Sequence, residues 1–179
     1  MKHIVRCGQV MLLLIISAAL LAGCAAPAAQ PTPTATAKPA PKKVATLPRP
    51  YNEKADPAQD IAAALKQAAT EHKRVLLDFG ANWCPDCLVL SMHFDNAQVK
   101  PFLDQHFVVV KIDVGKWDKN LEIAKQYGNP IKLGIPAVVV LDEDGKQIAS
   151  TADGALASAS TSKPQDILAY LKQWAEAKP

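Results

Sequence analysis

Val75-Leu76-Leu77-Asp78-Phe79-Gly80-Ala81-Asn82-Trp83-Cys84-Pro85-Asp86-Cys87 is the stretch of this 179-residue chain whose reading decides the rest. Its first half is an apolar run of strand length, and its second half opens a helix. Two cysteines two residues apart therefore sit at a strand-to-helix junction, where they can close a four-residue disulfide ring and reopen it. As a staple such a ring is weak, because the chain-entropy model gives so short a loop only about 2 kcal/mol. As chemistry it is well placed. A helix N-terminus offers unpaired N–H groups and the positive end of the helix dipole, both of which favour a thiolate. Cys84 and Cys87 are read as a redox pair.

Cysteine counting isolates that pair. The chain has four cysteines, Cys7, Cys24, Cys84 and Cys87. The first two fall in an N-terminal segment with the marks of an address. Lys2, His3 and Arg6 form a basic start, and residues 10–22 are apolar except for Ser17. That stretch is shorter than the roughly 20 residues that span a bilayer, so a signal peptide over residues 1–23 is expected. Leu21-Ala22-Gly23-Cys24 resembles the bacterial lipoprotein box, which implies cleavage before Cys24 and lipidation of that cysteine. Two or more acyl chains would hold the protein stably on a membrane. Ala25 rather than Asp follows Cys24, so in a Gram-negative cell the outer membrane is the expected address, with the protein facing the periplasm. Residues 25–50 are dominated by Ala, Pro, Thr and Lys and cannot bury a core; they read as an extended linker able to reach ~80 Å. Zinc binding would need two ligands beyond the cysteine pair, and His72, His93 and His106 are scattered. No metal site is expected.

Charge is segregated. Six of the 20 Lys/Arg and none of the 17 Asp/Glu lie in residues 1–50, which leaves the remainder, with 14 basic residues, at a net charge of −3. A mildly acidic domain on a basic stem gives no ground for nucleic-acid binding.

From residue 51 onward helical and strand patterns alternate. Asp56-Pro57 with Gln59 signals a helix start, with a capping box, and an apolar face continues to about residue 73. Strands are expected at 74–80, 107–114, 137–141 and 146–150. Between them stand a helix over 84–106, bent or restarted near Asp95-Asn96, and another over 118–127. A last helix opens at 162–165 and buries Ile167, Leu168, Leu171 and Trp174. Strands separated by helices are expected to run parallel, with an antiparallel hairpin at one edge and helices on both faces of one central mixed sheet.

At this point the chain resembles the thioredoxin family, over most of residues 74–174. Four places carry the likeness. They are the strand and Trp83-Cys84-Pro85-Asp86-Cys87, the segment Tyr127-Gly128 to Ile135-Pro136, the polar turn between Leu141 and Lys146, and Gly154-Ala155-Leu156. The departures are Pro85-Asp86 between the cysteines, Leu88 where a lysine is common, Gly80 where an aromatic often stands, and no evident first strand.

The resemblance implies an α/β thioredoxin-like fold and a thiol–disulfide oxidoreductase that needs no cofactor beyond its own disulfide. Cys84 would attack a substrate disulfide and Cys87 would resolve the mixed disulfide. Asp78 matches the family's buried aspartate and would exchange a proton with Cys87; the alternative is a strand-end carboxylate facing water. Pro136 matches the family's cis-proline, with Ile135 offering a backbone edge to an extended substrate. Trp83 would pack beside Cys84, or else serve the core. Pro85 and Asp86 complete the substrate-facing residues, and Asp86 disfavours an over-stabilised thiolate, so a reducing couple is expected. Trp117 and Trp174 carry no chemical reading. The expected function is reduction of disulfides in exported proteins by a monomer that a membrane electron donor re-reduces. The alternatives are a disulfide-forming oxidase or isomerase, a copper(I) delivery module on the same cysteines, and a non-catalytic lipoprotein.

Overall fold

The computed structural model describes residues 48–178. The signal segment, the Cys24 lipidation site and the linker up to residue 47 lie outside the described residues.

Asp56 begins the first helix as expected. Its Oδ1 accepts from the backbone N–H groups of Ala58 and Gln59, and Pro57 stands in the first turn of α1 (Pro57–Glu71), where a missing N–H costs nothing. Gln59 returns its amide to the Asp56 side chain rather than to the backbone, so the reciprocal half of the box is side chain to side chain. β1 (Arg74–Gly80) follows, then α2 (Pro85–Phe94), α3 (Lys100–His106) and β2 (Phe107–Asp113). The expected bend separates α2 from α3, and Pro101 lies in the first turn of α3. α4 (Leu121–Gln126), a 3-10 turn (Pro130–Leu133), β3 (Ala137–Leu141), β4 (Gln147–Ser150), a second 3-10 turn (Ala159–Thr161) and α5 (Pro164–Glu176) complete the order.

The described strands form one mixed sheet in the order β2-β1-β3-β4. β1 runs parallel to β2, with Asp78 opposite Lys111, but antiparallel to β3, with Phe79 opposite Ala137. This corrects the expectation that β3 would be parallel to β1. The connection from Asp113 to Ala137 leaves and re-enters at the same end of the sheet. Its one α-helix has six residues, about 9 Å, too short to carry the chain back along a seven-residue strand of about 23 Å. α4 is also shorter than the expected 118–127. Trp117 and Asn120 adopt left-handed backbone, and the Asp118 and Asn120 side chains bond to Lys116 N–H and the Asp113 carbonyl, so residues 115–120 form turns.

The alternation of β1 sorts the core into two layers. Val75, Leu77 and Phe79 pack with Ile61, Ala64 and Ala68 of α1 and with Ala124 of α4. Leu76 packs with Leu90 and Phe94 of α2, Leu103 of α3, and Ile167, Leu171 and Trp174 of α5. Cys84 and Cys87 belong to the first cluster, so the start of α2 crosses the end of the sheet at the C-terminal edge of β1.

Candidate active site

Cys84 and Cys87 are joined by a disulfide, with their Cα atoms 5.3 Å apart. Cys84 is the N-cap of α2, and its Sγ accepts from the backbone N–H of Cys87 at 3.2 Å. The sulfur thus occupies the position where a Ser or Asp would normally satisfy the first turn. One backbone donor and the positive end of the helix dipole favour negative charge on it. Cys84 is 4% exposed and Cys87 fully buried, so approach to the pair is through Cys84.

The peptide bond Ile135-Pro136 is cis, and the carbonyl oxygen of Ile135 lies 3.6 Å from Cys84 Sγ. Gly134, at φ +125, makes the approach to that bond, and a Cβ there would press on Ala157 at 3.1 Å. Ile135 and Pro136 are buried, while neighbouring Leu133 is exposed.

Trp83 lies at the surface, half-exposed, rather than in the core. Its indole N–H donates to the Gly115 carbonyl at 2.6 Å. Its ring centroid is 6.4 Å from that of Trp117, which is also exposed. Trp117, given no chemical reading from sequence, therefore lies on the rim of the site. Pro85 is exposed at the start of α2. Asp86 accepts at 2.8 Å from the backbone N–H of Ser160, which ties α2 to the 3-10 turn Ala159–Thr161. Among the described residues no group of three or more His, Cys, Asp or Glu side chains is placed to hold a metal ion.

Asp78 is fully buried, which removes the alternative of a strand-end carboxylate facing water. Lys111 Nζ lies 3.0 Å from Asp78 Oδ2 and donates also to Ser91 Oγ at 3.2 Å. The Tyr51 hydroxyl lies 3.1 and 3.2 Å from the two Asp78 oxygens. Burial, and next the Asp78 carboxylate, push the Tyr51 phenol far above its usual range, so it stays a donor. Sequence reasoning missed both partners. Lys111 is visible only once the parallel register of β1 and β2 is known. For Tyr51 the available signal was Gly80, where an aromatic often stands: a Cβ there would lie 2.3 Å from the Tyr51 hydroxyl. The tyrosine fills from the N-terminal side the space that Gly80 leaves.

A family model described as Thioredoxin-like matches residues 56–143. The chain is 38% identical to Thioredoxin of Mycoplasmoides gallisepticum over 47% of its own length and 74% of that protein. It is 30% identical to Anterior gradient protein 2 of Xenopus tropicalis over 53% of its length, spanning 58% of that relative. Among solved structures, the disulphide isomerase from Xylella fastidiosa Temecula1 superposes with a TM-score of 0.71 at 44% identity, covering 73% of this chain and all of that one. The disulfide at the head of α2, the cis-proline beside it and these relatives converge: the chain belongs to the thioredoxin-like family, as a thiol–disulfide oxidoreductase with a Cys-x-x-Cys motif.

Proposed function

We propose that the reduced chain reduces disulfides in exported proteins, with Cys84 as nucleophile and Cys87 as resolving thiol. The observation that carries this is the placement of Cys84: N-cap of α2, least buried of the pair, and in contact with the Ile135 carbonyl at the cis-proline. The Cys84 thiolate attacks one sulfur of the substrate disulfide. A Cys84–substrate bond forms, the substrate S–S bond breaks, and the first substrate thiolate leaves and takes a proton from water. Cys87 S–H then gives its proton to the Asp78 carboxylate, and the Cys87 thiolate attacks Cys84 Sγ. The mixed disulfide breaks, the second substrate thiolate leaves and takes up the proton held by Asp78, and the Cys84–Cys87 disulfide remains. Two electrons have passed to the substrate. A membrane electron donor returns the disulfide to the dithiol. The lipid on Cys24 and the linker place the domain in the envelope, facing the periplasm, within reach of mobile protein substrates.

Similarity to the Xylella disulphide isomerase supports a second reading, isomerisation. Isomerisation is redox-neutral and needs only attack by Cys84 and its displacement by another substrate thiol, whereas net reduction requires Cys87. Cys87→Ser separates the two. A reductant loses insulin reduction and accumulates a mixed disulfide on Cys84. An isomerase retains much of its ability to restore activity to a scrambled disulfide protein.

A further inference from the structure

Tyr51 lies just past the linker, outside any described helix or strand, yet it is 2% exposed. Asn82 holds it there. The Asn82 side chain accepts from Tyr51 N–H at 3.1 Å and donates to the Tyr51 carbonyl at 2.8 Å. Asn82 stands two residues before Cys84, so the segment carrying the phenol is tied directly to the active-site loop. Lys119 adds a bond to the Glu53 carbonyl at 3.2 Å.

We propose that Tyr51 is the positioning residue of this site: its hydroxyl holds the Asp78 carboxylate as acceptor for the Cys87 proton, and Asn82 fixes it in register with the cysteines. The inference rests on the proton exchange between Cys87 and Asp78 proposed above. The groups facing the carboxylate come from several elements. Tyr51 and Lys111 donate to it, Ser91 of α2 shares Lys111, and β3 presents the uncharged Val138 opposite. A second buried carboxylate, Asp113, also acts on the Tyr51 phenol, and Lys119 Nζ lies 3.5 Å from its Oδ2. The phenol keeps its proton and, 3.1 and 3.2 Å from the two carboxylate oxygens, directs it to Asp78. A donor aimed at a carboxylate favours the charged, proton-accepting form. When Asp78 takes the Cys87 proton the Tyr51 bond weakens, so Tyr51 opposes over-retention of that proton.

The test uses the purified full-length chain with Cys7 and Cys24 replaced by serine, and oxidised glutathione. Formation of the glutathione mixed disulfide and its resolution are followed separately between pH 5 and 9. Tyr51→Phe keeps the ring beneath Gly80 and removes only the hydroxyl. It is expected to raise the pH midpoint of resolution by about one unit, a tenfold slowing below the midpoint, with first attack within about twofold. Asp78→Asn should slow resolution and displace its profile to higher pH, where Cys87 loses its proton without an internal acceptor, and adding Tyr51→Phe to it should change nothing further. An unshifted Tyr51→Phe profile beside a displaced Asp78→Asn profile overturns the role of Tyr51, as does a further shift of equal size when Tyr51→Phe is added to Asp78→Asn. An unchanged Asp78→Asn profile instead removes the proton exchange itself, and the inference with it.

Discussion

A buried carboxylate is tolerated where its partners compensate for the lost water. Asp78 has three contacts that do so, two from the Tyr51 hydroxyl and one from Lys111, and the lysine ammonium also lies 5.3 and 5.4 Å from the ring centroids of Tyr51 and Phe94. Removing one member of a buried ion pair leaves the other uncompensated. Lys111→Met should therefore cost about 3 kcal/mol in chemical denaturation. A loss under about 1 kcal/mol would mean that the pair is not a structural necessity. The two cysteines were legible from their own spacing and neighbours. Lys111, Tyr51 and Trp117 were not. Each reaches the site through a pairing or a turn that local sequence does not encode: a strand register, a contact spanning 27 residues, and a left-handed backbone at Trp117.

Among the elements, the end of β1 has the tightest constraint. Gly80 ends that strand, and the Tyr51 ring occupies the place of its missing side chain. Gly80→Ala must displace the ring or the strand, and overpacking of this kind costs about 1–3 kcal/mol. The expected result is a lower denaturation midpoint together with a pH profile of disulfide resolution moved in the same direction as in Tyr51→Phe. An unchanged midpoint would show that Tyr51 has room to spare. The existence of the strands and most helices was readable from periodicity, caps and turn residues. Direction was less so. A helix between two strands usually signals a parallel crossover, but the chain between β2 and β3 stays at one end of the sheet, so β3 returns antiparallel and delivers Pro136 beside Cys84. That reversal places the cis-proline at the site, and it follows from the shortness of α4 rather than from any strand residue.

For the molecule as a whole, the buried phenol couples stability to alkaline pH. The folded state holds the Tyr51 proton far above the ordinary value of 10.0, whereas the unfolded chain releases it near that value. Above pH 10 the unfolded state therefore binds fewer protons, and stability falls by about 1.4 kcal/mol per pH unit through this one group. Below pH 10 the contribution is flat. Tyr51→Phe lacks this term, so its stability should fall less steeply than the wild type between pH 10 and 11. Burial also raises the Tyr127 phenol, but Tyr127 is present in both proteins and cancels from the difference. Parallel curves would show that Tyr51 ionises freely in the folded state. The central claim, that Cys84 and Cys87 form one reversible two-electron couple, proposed above to be reducing, is tested most directly by equilibrating the full-length chain carrying Cys7→Ser and Cys24→Ser with thiol–disulfide buffers of graded potential and counting alkylatable thiols by mass. The expected result is both thiols appearing together at a single midpoint near the ~−270 mV of a thioredoxin. Thiols that never exchange with any buffer, or a midpoint near the ~−120 mV of a strong periplasmic oxidant, would contradict it.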